Sequence, residues 1–348
     1  MRKLLFTAIH PAPYIDSWIE GLKKTFSVSI AYNYKKSAAK TWKTYKPNAG
    51  IIIKEYGLIN WTRLIAKNDV IILNGWNKLY NIYTLFIALL LKKKIAVFSD
   101  YPIETRKSSF KWLSKKIFLS LLVPRILCAT HSTQKYYQEI FAYKEKNTLF
   151  FPYATKEAPI SNDFNLKRIK SIKEGDNIRF FVANNFRERK GYDVLTKALT
   201  LLDKDLLKQV AFIIAGSGEL QKEFSSKIQK ILPNVKFLGW IEEKEYSKLL
   251  QESDVLIHAS TFEPFGIPPI DAMKHGKLII SSNGVKSISD MVVNGKNGFM
   301  FHAGNSVELA QLLTQTINLK EKIYKIGQRG KYDICKVYNN SFLNDLNL

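Results

Sequence analysis

The sequence predicts an α/β protein built as two doubly wound, parallel-sheet domains in tandem. Three observations carry that prediction. The chain has 348 residues, more than one ordinary hydrophobic core holds. Short apolar runs alternate with segments of helical length along nearly all of it, the pattern of a parallel sheet covered by helices. The alternation stops over residues 152–176, which hold two prolines, and then resumes. A composition 46% hydrophobic and 24% charged excludes a disordered chain.

In the first half the expected strands are Leu4–Ile9, Val28–Tyr32, Val70–Leu73, Ile95–Phe98, Ile126–Ala129 and Thr148–Phe151. Helices are expected over Ser17–Lys24, Leu79–Leu91, Ser108–Val123 and Thr133–Phe141, and a Lys-rich polar loop over 35–50. The second half repeats the logic with strands Ile178–Val182, Val210–Ala215, Val235–Leu238, Val255–His258 and Leu278–Ser281. Its helices open near Gly191, Glu219, Glu243 and Gly266, and the chain reads as helical after Asn305. The expected domains are therefore 1–155 and 178–325. A linker over 156–177 joins them, and a helical segment over 326–348 follows, with the N-terminal domain as its candidate partner. Sheets of this kind bind ligands beyond the carboxyl ends of their strands.

Charge divides the chain unevenly. The formal net charge is +23, and residues 1–155 hold 25 Lys and Arg against 8 Asp and Glu, whereas residues 156–348 hold 28 against 22. An excess confined to one half points to a polyanionic partner there, such as an anionic membrane surface or a phosphorylated substrate. A Lys-rich coding bias would raise the total but explains the asymmetry poorly. Nucleic acid is not expected, because no RNA-recognition, helix-turn-helix or zinc-finger pattern is present. Cys128 and Cys335 are far apart, which excludes a disulfide scaffold and fits a reducing compartment. The first apolar run, Leu4 to Ile9, is shorter than a signal-peptide core. The longest, Thr84 to Leu91, is far short of the roughly 20 residues that span a bilayer. The expected location is cytoplasmic, peripherally bound at the cytoplasmic face of the inner membrane.

Three stretches carry chemistry. In FFVANNFRERKGYDVLTKAL, residues 180–199, a strand ends at Val182 and a helix opens at Lys190-Gly191. Arg187, Arg189 and Lys190 thus crowd a strand-to-helix junction where N–H groups and the helix dipole favour an anion. Cationic side chains there suit a diphosphate, although the same three could simply face water. In FIIAGSGEL, residues 212–220, Gly216 and Gly218 allow the backbone close to a ligand. A lone GxGE is not the dinucleotide fingerprint. In residues 253–284, Glu263 precedes Phe265-Gly266-Ile267, Pro268-Pro269 suit a first helical turn, and Asp271 lies eight residues beyond Glu263. Sugar hydroxyls can donate to two such carboxylates while phosphate oxygens accept from the N–H groups of 265–267. The alternative is that Glu263 caps the helix and Asp271 offsets its dipole.

The run EPFGIPPIDAMKHGKLIISSNG, preceded in order by FVANNFRERKGYDVL, IIAGSGEL and VKFLGWIEEKEYSKLLQESDVLIHAS, resembles the C-terminal domain of family 4 glycosyltransferases. These are the group 1 retaining enzymes of the GT-B fold, and the resemblance covers residues 178–302. It implies two Rossmann-like domains facing a central cleft, the N-terminal one binding the acceptor and the C-terminal one the nucleotide-sugar. Lys190, helped by Arg189 or Arg187, would hold the diphosphate and neutralise the leaving group, and Glu263 would face the transferred sugar. Phe265, Gly266 and Ile267 would offer N–H groups. Gly216 and Gly218 would line the nucleotide, and Trp240 and Ile241 would flank the base. Asp271, where the family has Glu, would bind the ribose. A UDP- or GDP-sugar would be co-substrate and a glycan or lipid-linked hydroxyl the acceptor, in cell-surface polysaccharide, lipopolysaccharide or glycolipid synthesis. No cofactor or metal is implied, and no Asp-x-Asp pair suited to Mg2+ is present. Asp100, in VFSDYPIE, and Tyr14 are acceptor-side candidates, with a plain loop acid as the alternative for Asp100.

Residues 106–125, RKSSFKWLSKKIFLSLLVPR, bear on location. Phe110, Leu113, Ile117 and Leu121 recur at helical spacing beside Lys107, Lys111 and Lys115, with Trp112 available for an interface. That suits a helix lying on an anionic membrane; packing of the stripe on the sheet is the alternative. Two other classes compete with the transferase. A non-catalytic basic membrane- or nucleic-acid-binding protein on this fold has no need of Lys190 and Glu263. A dinucleotide-dependent oxidoreductase needs a Gly-rich first turn, where this chain has HPAPY.

Overall fold

The structure is a computed structural model that describes residues 1–34, 50–76, 78–102, 110–153 and 162–338. Most of the loop expected over 35–50, Lys107, and the side chains of Phe110, Lys111, Trp112 and Lys115 lie outside the described residues. The chain forms two compact units, one of Met1–Thr155 joined by Tyr338, the other of Lys156–Val337.

Unit 1 runs β1 (Arg2–Ala8), α1 (Pro13–Leu22), β2 (Phe26–Tyr32), β3 (Ile51–Ile52), α2 (Ile53–Tyr56), α3 (Leu58–Lys67) and β4 (Val70–Asn74). It continues with α4 (Leu79–Leu90), β5 (Lys94–Ser99), α5 (Phe110–Leu122), β6 (Ile126–Cys128), α6 (His131–Phe141) and β7 (Thr148–Phe150). Among the described residues its strands form one parallel sheet in the order β3-β2-β1-β4-β5-β6-β7. Strands covered on both faces read as continuous apolar runs, which is why Leu4–Ala8 is buried throughout. Successive side chains point to opposite faces. Leu5, Ile71, Leu73, Ile95 and Val97 meet Trp61 and Ile65 of α3, Leu85 and Ala88 of α4, Leu119 of α5 and Tyr137 of α6. The aromatic rings of Phe6, Phe98 and Phe151 pack instead on Trp18 of α1.

Unit 2 runs α7 (Asn162–Lys173), β8 (Ile178–Ala183), α8 (Tyr192–Thr200), α9 (Lys204–Lys208), β9 (Val210–Ala215), α10 (Gln221–Ile231) and β10 (Val235–Gly239). Then come α11 (Glu243–Glu252), β11 (Val255–His258), α12 (Ile267–Lys274), β12 (Leu278–Ser282), β13 (Phe299–Phe301), α13 (Ser306–Leu319) and α14 (Ile323–Val337). The described strands again form one parallel sheet, ordered β10-β9-β8-β11-β12-β13. Asn305 caps α13 by accepting from Val307 and Glu308 N–H, both at 3.1 Å. In each unit the order reverses beside the first strand, so loops leaving β1 and β4, and β8 and β11, diverge and open a crevice between them. The tandem doubly wound architecture expected from the sequence is the one observed.

Two expectations need correction. The segment expected as a linker over 156–177 contains α7, which belongs to unit 2. α7 is fastened by Ile172, buried in the unit 2 core with Ile169 packed against it, and by a buried charge. Arg168 is buried and reaches Asp254 Oδ2 at 2.8 Å and Oδ1 at 3.3 Å. Asp254 also accepts from Arg179 N–H at 2.8 Å and from the Tyr324 hydroxyl of α14. The boundary expected at 325/326 falls inside α14, whose Ile323, Tyr324, Gly327, Gly330 and Ile334 are buried.

Candidate functional site

In unit 2 the β8 and β11 loops leave neighbouring strands, since Phe180 and Phe181 pair with Val255 and Leu256. The β8 loop ends in a 3-10 turn, Glu188–Lys190, closed by Gly191 at φ 70°. A Cβ at position 191 would lie 1.9 Å from the Ala259 carbonyl oxygen, so any side chain would force the loops apart. Thr261 N–H donates to the Arg189 carbonyl at 2.9 Å and fastens the two loops. Glu263 is tied in turn to the loop after β12: its N–H donates to Gly284 at 3.0 Å, and its carbonyl accepts from Lys286 N–H at 3.1 Å.

These backbone ties bring three of the expected side chains together. Lys190 Nζ lies 2.6 Å and Arg189 Nη1 3.2 Å from Glu263 Oε2. Lys190 and Glu263 are part-buried, while Arg189 is exposed. Burial alone would raise the Glu263 carboxyl, but Lys190 and Arg189 hold it below its ordinary value. Burial draws the Lys190 ammonium below its own, with Glu263 opposing. His258, which the sequence reading passed over, ends β11 fully buried, with Nε2 3.3 Å from Ser260 Oγ. Ser260 Oγ accepts from Asn184 Nδ2 at 3.1 Å, which adds a side-chain link between the same two loops. Burial lowers the His258 imidazole to about 4, so it is neutral at physiological pH. Its only advance signal was its place at the end of an apolar strand.

The remaining donor-side candidates lie on the loops that follow β8, β9, β10 and β11 and on α12. α12 opens after Gly266, with prolines in its first turn, where a missing N–H costs nothing. Phe265 is buried; its carbonyl accepts from Ser287 N–H at 3.1 Å, and Ser287 Oγ donates to the Gly266 carbonyl at 3.0 Å. Ile267 begins the helix, and Asp271 follows one turn on. Tyr246 of α11, not anticipated, donates its hydroxyl to Asp271 Oδ2 at 3.1 Å. Burial pushes the Asp271 carboxyl up to about 7 against the lowering effect of that bond. Arg187 is exposed and Asp271 is bound elsewhere, so neither joins the Lys190–Glu263 pair. A Cβ on Gly216 or Gly218 would lie 1.9 Å from the Asn184 carbonyl oxygen or 2.3 Å from that of Phe186. Their bareness therefore serves the packing of the β9 loop on the β8 loop, where the sequence reading had invoked only a ligand. Gly216 N–H also donates to the Gly239 carbonyl at 2.6 Å, and the half-exposed Trp240 and then Ile241 follow directly.

In unit 1, Tyr14 near the start of α1 and Asp100 after β5 meet at a third residue, Tyr153, which follows β7. The Tyr153 hydroxyl donates to Asp100 Oδ2 at 2.8 Å, and the rings of Tyr14 and Tyr153 meet edge to face at 4.7 Å. Burial first, and the Asp100 charge second, raise both hydroxyls, so they stay protonated donors. Trp18 Nε1 donates to the Pro152 carbonyl at 2.7 Å and holds this stretch in place. No group of three or more His, Cys, Asp or Glu among the described residues is arranged to hold a metal ion. No described helix is long and apolar enough to cross a membrane.

The family described as "Glycosyl transferases group 1" matches residues 163–333. A Klebsiella pneumoniae relative, named only as a 41.2 kDa protein in a cps region, is 25% identical over 234 residues, 59% of this chain and 63% of its own. A Campylobacter jejuni relative is 26% identical over 204 residues, 58% of this chain and 54% of its own. It is named as an alpha-1,4-N-acetyl-D-galactosaminyltransferase acting on a diNAcBac-PP-undecaprenol glycan. The matched stretch thus spans less than two thirds of either relative. Among solved structures, HepE of Anabaena in complex with UDP-glucose superposes with a TM-score of 0.73 at 17% identity, covering 99% of this chain and 98% of that one. That likeness establishes the GT-B fold.

Proposed function

Residues 163–333 belong to the group 1 glycosyl transferases, and from that premise we propose that this protein is a retaining glycosyltransferase moving a sugar from a nucleotide-sugar to a hydroxyl of a glycan or lipid-linked acceptor. The observation that carries the reading is the convergence of Lys190, Arg189 and Glu263 where the strand order of unit 2 reverses. Lys190 and Arg189 take the donor diphosphate, exchanging part of their hold on Glu263 for it. Their charge then offsets the charge that develops on the departing nucleoside diphosphate as the acceptor hydroxyl attacks the anomeric carbon from the same face. Glu263 accepts from hydroxyls of the transferred sugar, and the N–H groups of 265–267 serve sugar and phosphate. Asp271 accepts from the ribose while Tyr246 orients it, and Trp240 and Ile241 flank the base. In unit 1, Asp100, held by the Tyr153 hydroxyl, offers a carboxylate to the acceptor and Tyr14 a donor.

UDP-glucose in the Anabaena structure supports a UDP-sugar donor, and the name of the Campylobacter relative supports a lipid-linked acceptor. A panel of UDP-, GDP- and ADP-sugars, assayed for binding and hydrolysis, identifies the donor. With the preferred one, Lys190→Ala and Glu263→Ala should each lower transfer by roughly a hundredfold or more, with unchanged circular dichroism. Near-normal turnover in both variants would refute the assignment.

A further inference from the structure

Unit 1 carries an outer face that none of this chemistry uses. α4, LYNIYTLFIALL, has twelve residues without one charged side chain. Asn81, Thr84, Leu85 and Ala88 are its buried residues, whereas Leu79, Phe86 and Leu90 are 84%, 46% and 77% exposed. The polar Asn81 and Thr84 are thus turned inward while an apolar row is left beside water, the mark of a contact surface. α5 contributes Leu119 to the same side of the sheet as α4. Its Leu113, Ile117 and Leu121, each four residues from the next, are 50%, 51% and 76% exposed. Of the stripe expected in the sequence, these three therefore do not pack on the sheet.

The surroundings are strongly basic. From Lys78 to Arg125 the chain holds ten Lys and Arg against two acids, Asp100 and Glu104. Lys78 precedes α4 and Lys92, Lys93 and Lys94 follow it. At the leading end Lys78 and Lys54 bring their ammonium groups to 5.5 Å and 5.4 Å from the Tyr34 ring. A second copy of the chain on this face would set two such basic surfaces against each other, whereas an anionic lipid surface complements both the apolar stripe and its charge. We propose that the outer face of α4 and α5 docks this protein on a bilayer rich in anionic phospholipid. Leu79, Phe86, Leu90, Leu113, Ile117 and Leu121 enter the boundary between headgroups and acyl chains, and the lysines at the ends of α4 meet lipid phosphates. The inference gives the lipid-linked acceptor a surface to come from, yet it stands on residues separate from the donor site, so either can fail alone.

Flotation of the full chain with vesicles tests it, using phosphatidylcholine alone and phosphatidylcholine mixed with phosphatidylglycerol, at low and high salt. Binding is expected to the anionic vesicles, weaker to the neutral ones, and reduced by salt. The triple variant Leu79→Ser, Phe86→Ser, Leu90→Ser should lose at least about tenfold in affinity. Lys78→Gln and Lys92→Gln should cost about fivefold each at low salt. All of these variants should keep the far-ultraviolet spectrum and the vesicle-free hydrolysis of donor. Leu201→Ser, an exposed change on unit 2, should leave vesicle binding unaltered. Equal or salt-insensitive binding to both vesicles, or full binding by the folded triple variant, would overturn the proposal. So would a dimer in light scattering that the triple variant abolishes. If the triple variant misfolds, the lysine variants decide.

Discussion

Asp271→Asn tests how the site holds its second carboxylate. Burial moves that carboxyl from 3.8 to about 7, so over this interval the folded chain keeps a proton that the unfolded chain releases. The stability this confers is fully present below the ordinary carboxyl value and is lost as pH rises to about 7. Each unit is worth about 1.4 kcal/mol, so the whole shift amounts to about 4 kcal/mol. Asparagine imitates the neutral acid, because its Oδ1 can still accept from the Tyr246 hydroxyl, now 3.1 Å away, and it has no proton to lose. The stability advantage of Asn over Asp should therefore grow by about 2–3 kcal/mol between about pH 5 and about pH 8. For a unit of this size that is about 5–10 °C in the unfolding midpoint. Thermal unfolding of both proteins across that range measures it, with calorimetric titration of the preferred nucleotide-sugar alongside. Donor affinity should move the other way, rising in the native protein as Asp271 ionises and staying weak and flat in the variant. A stability difference that does not change between the two pH limits would refute the reasoning.

Asp254→Asn should destabilise unit 2 by about 3–5 kcal/mol, because it leaves the buried Arg168 guanidinium with only the exposed Asp176 carboxylate, 3.0 Å away, as counter-charge. Denaturant unfolding checks this, and a loss below about 1 kcal/mol would show that the pair does not hold α7. Transfer should persist in excess chelator, since Lys190 and Arg189 supply the charge that faces the diphosphate. Loss of activity restored by one specific divalent cation would contradict that role.

Periodicity sufficed for the tandem doubly wound architecture, because strands covered on both faces read as apolar runs and helices betray themselves by length and amphipathic spacing. β3 and β13, two and three residues long, are too short to show any period. α7 shows little apolar periodicity of its own, and its buried Arg168 meets Asp254, 86 residues away in the chain. Lys190, Arg189 and Glu263 were legible as candidates, since each stands at a loop-to-helix junction recognisable from its immediate neighbours. That their charged ends share one carboxylate oxygen depends on β8 lying beside β11, a strand order that skips β9 and β10 and that no local pattern encodes. The same holds for Tyr246 against Asp271 and Tyr153 against Asp100, partners 25 and 53 residues apart that only the folded sheets bring within reach. On α5 the spacing of Leu113, Ile117 and Leu121 was plain from the residues alone. Which side of the helix meets the sheet was not, because a helix can bury any of its faces, and here Leu119 faces the core while the leucine and isoleucine stripe is left to solvent.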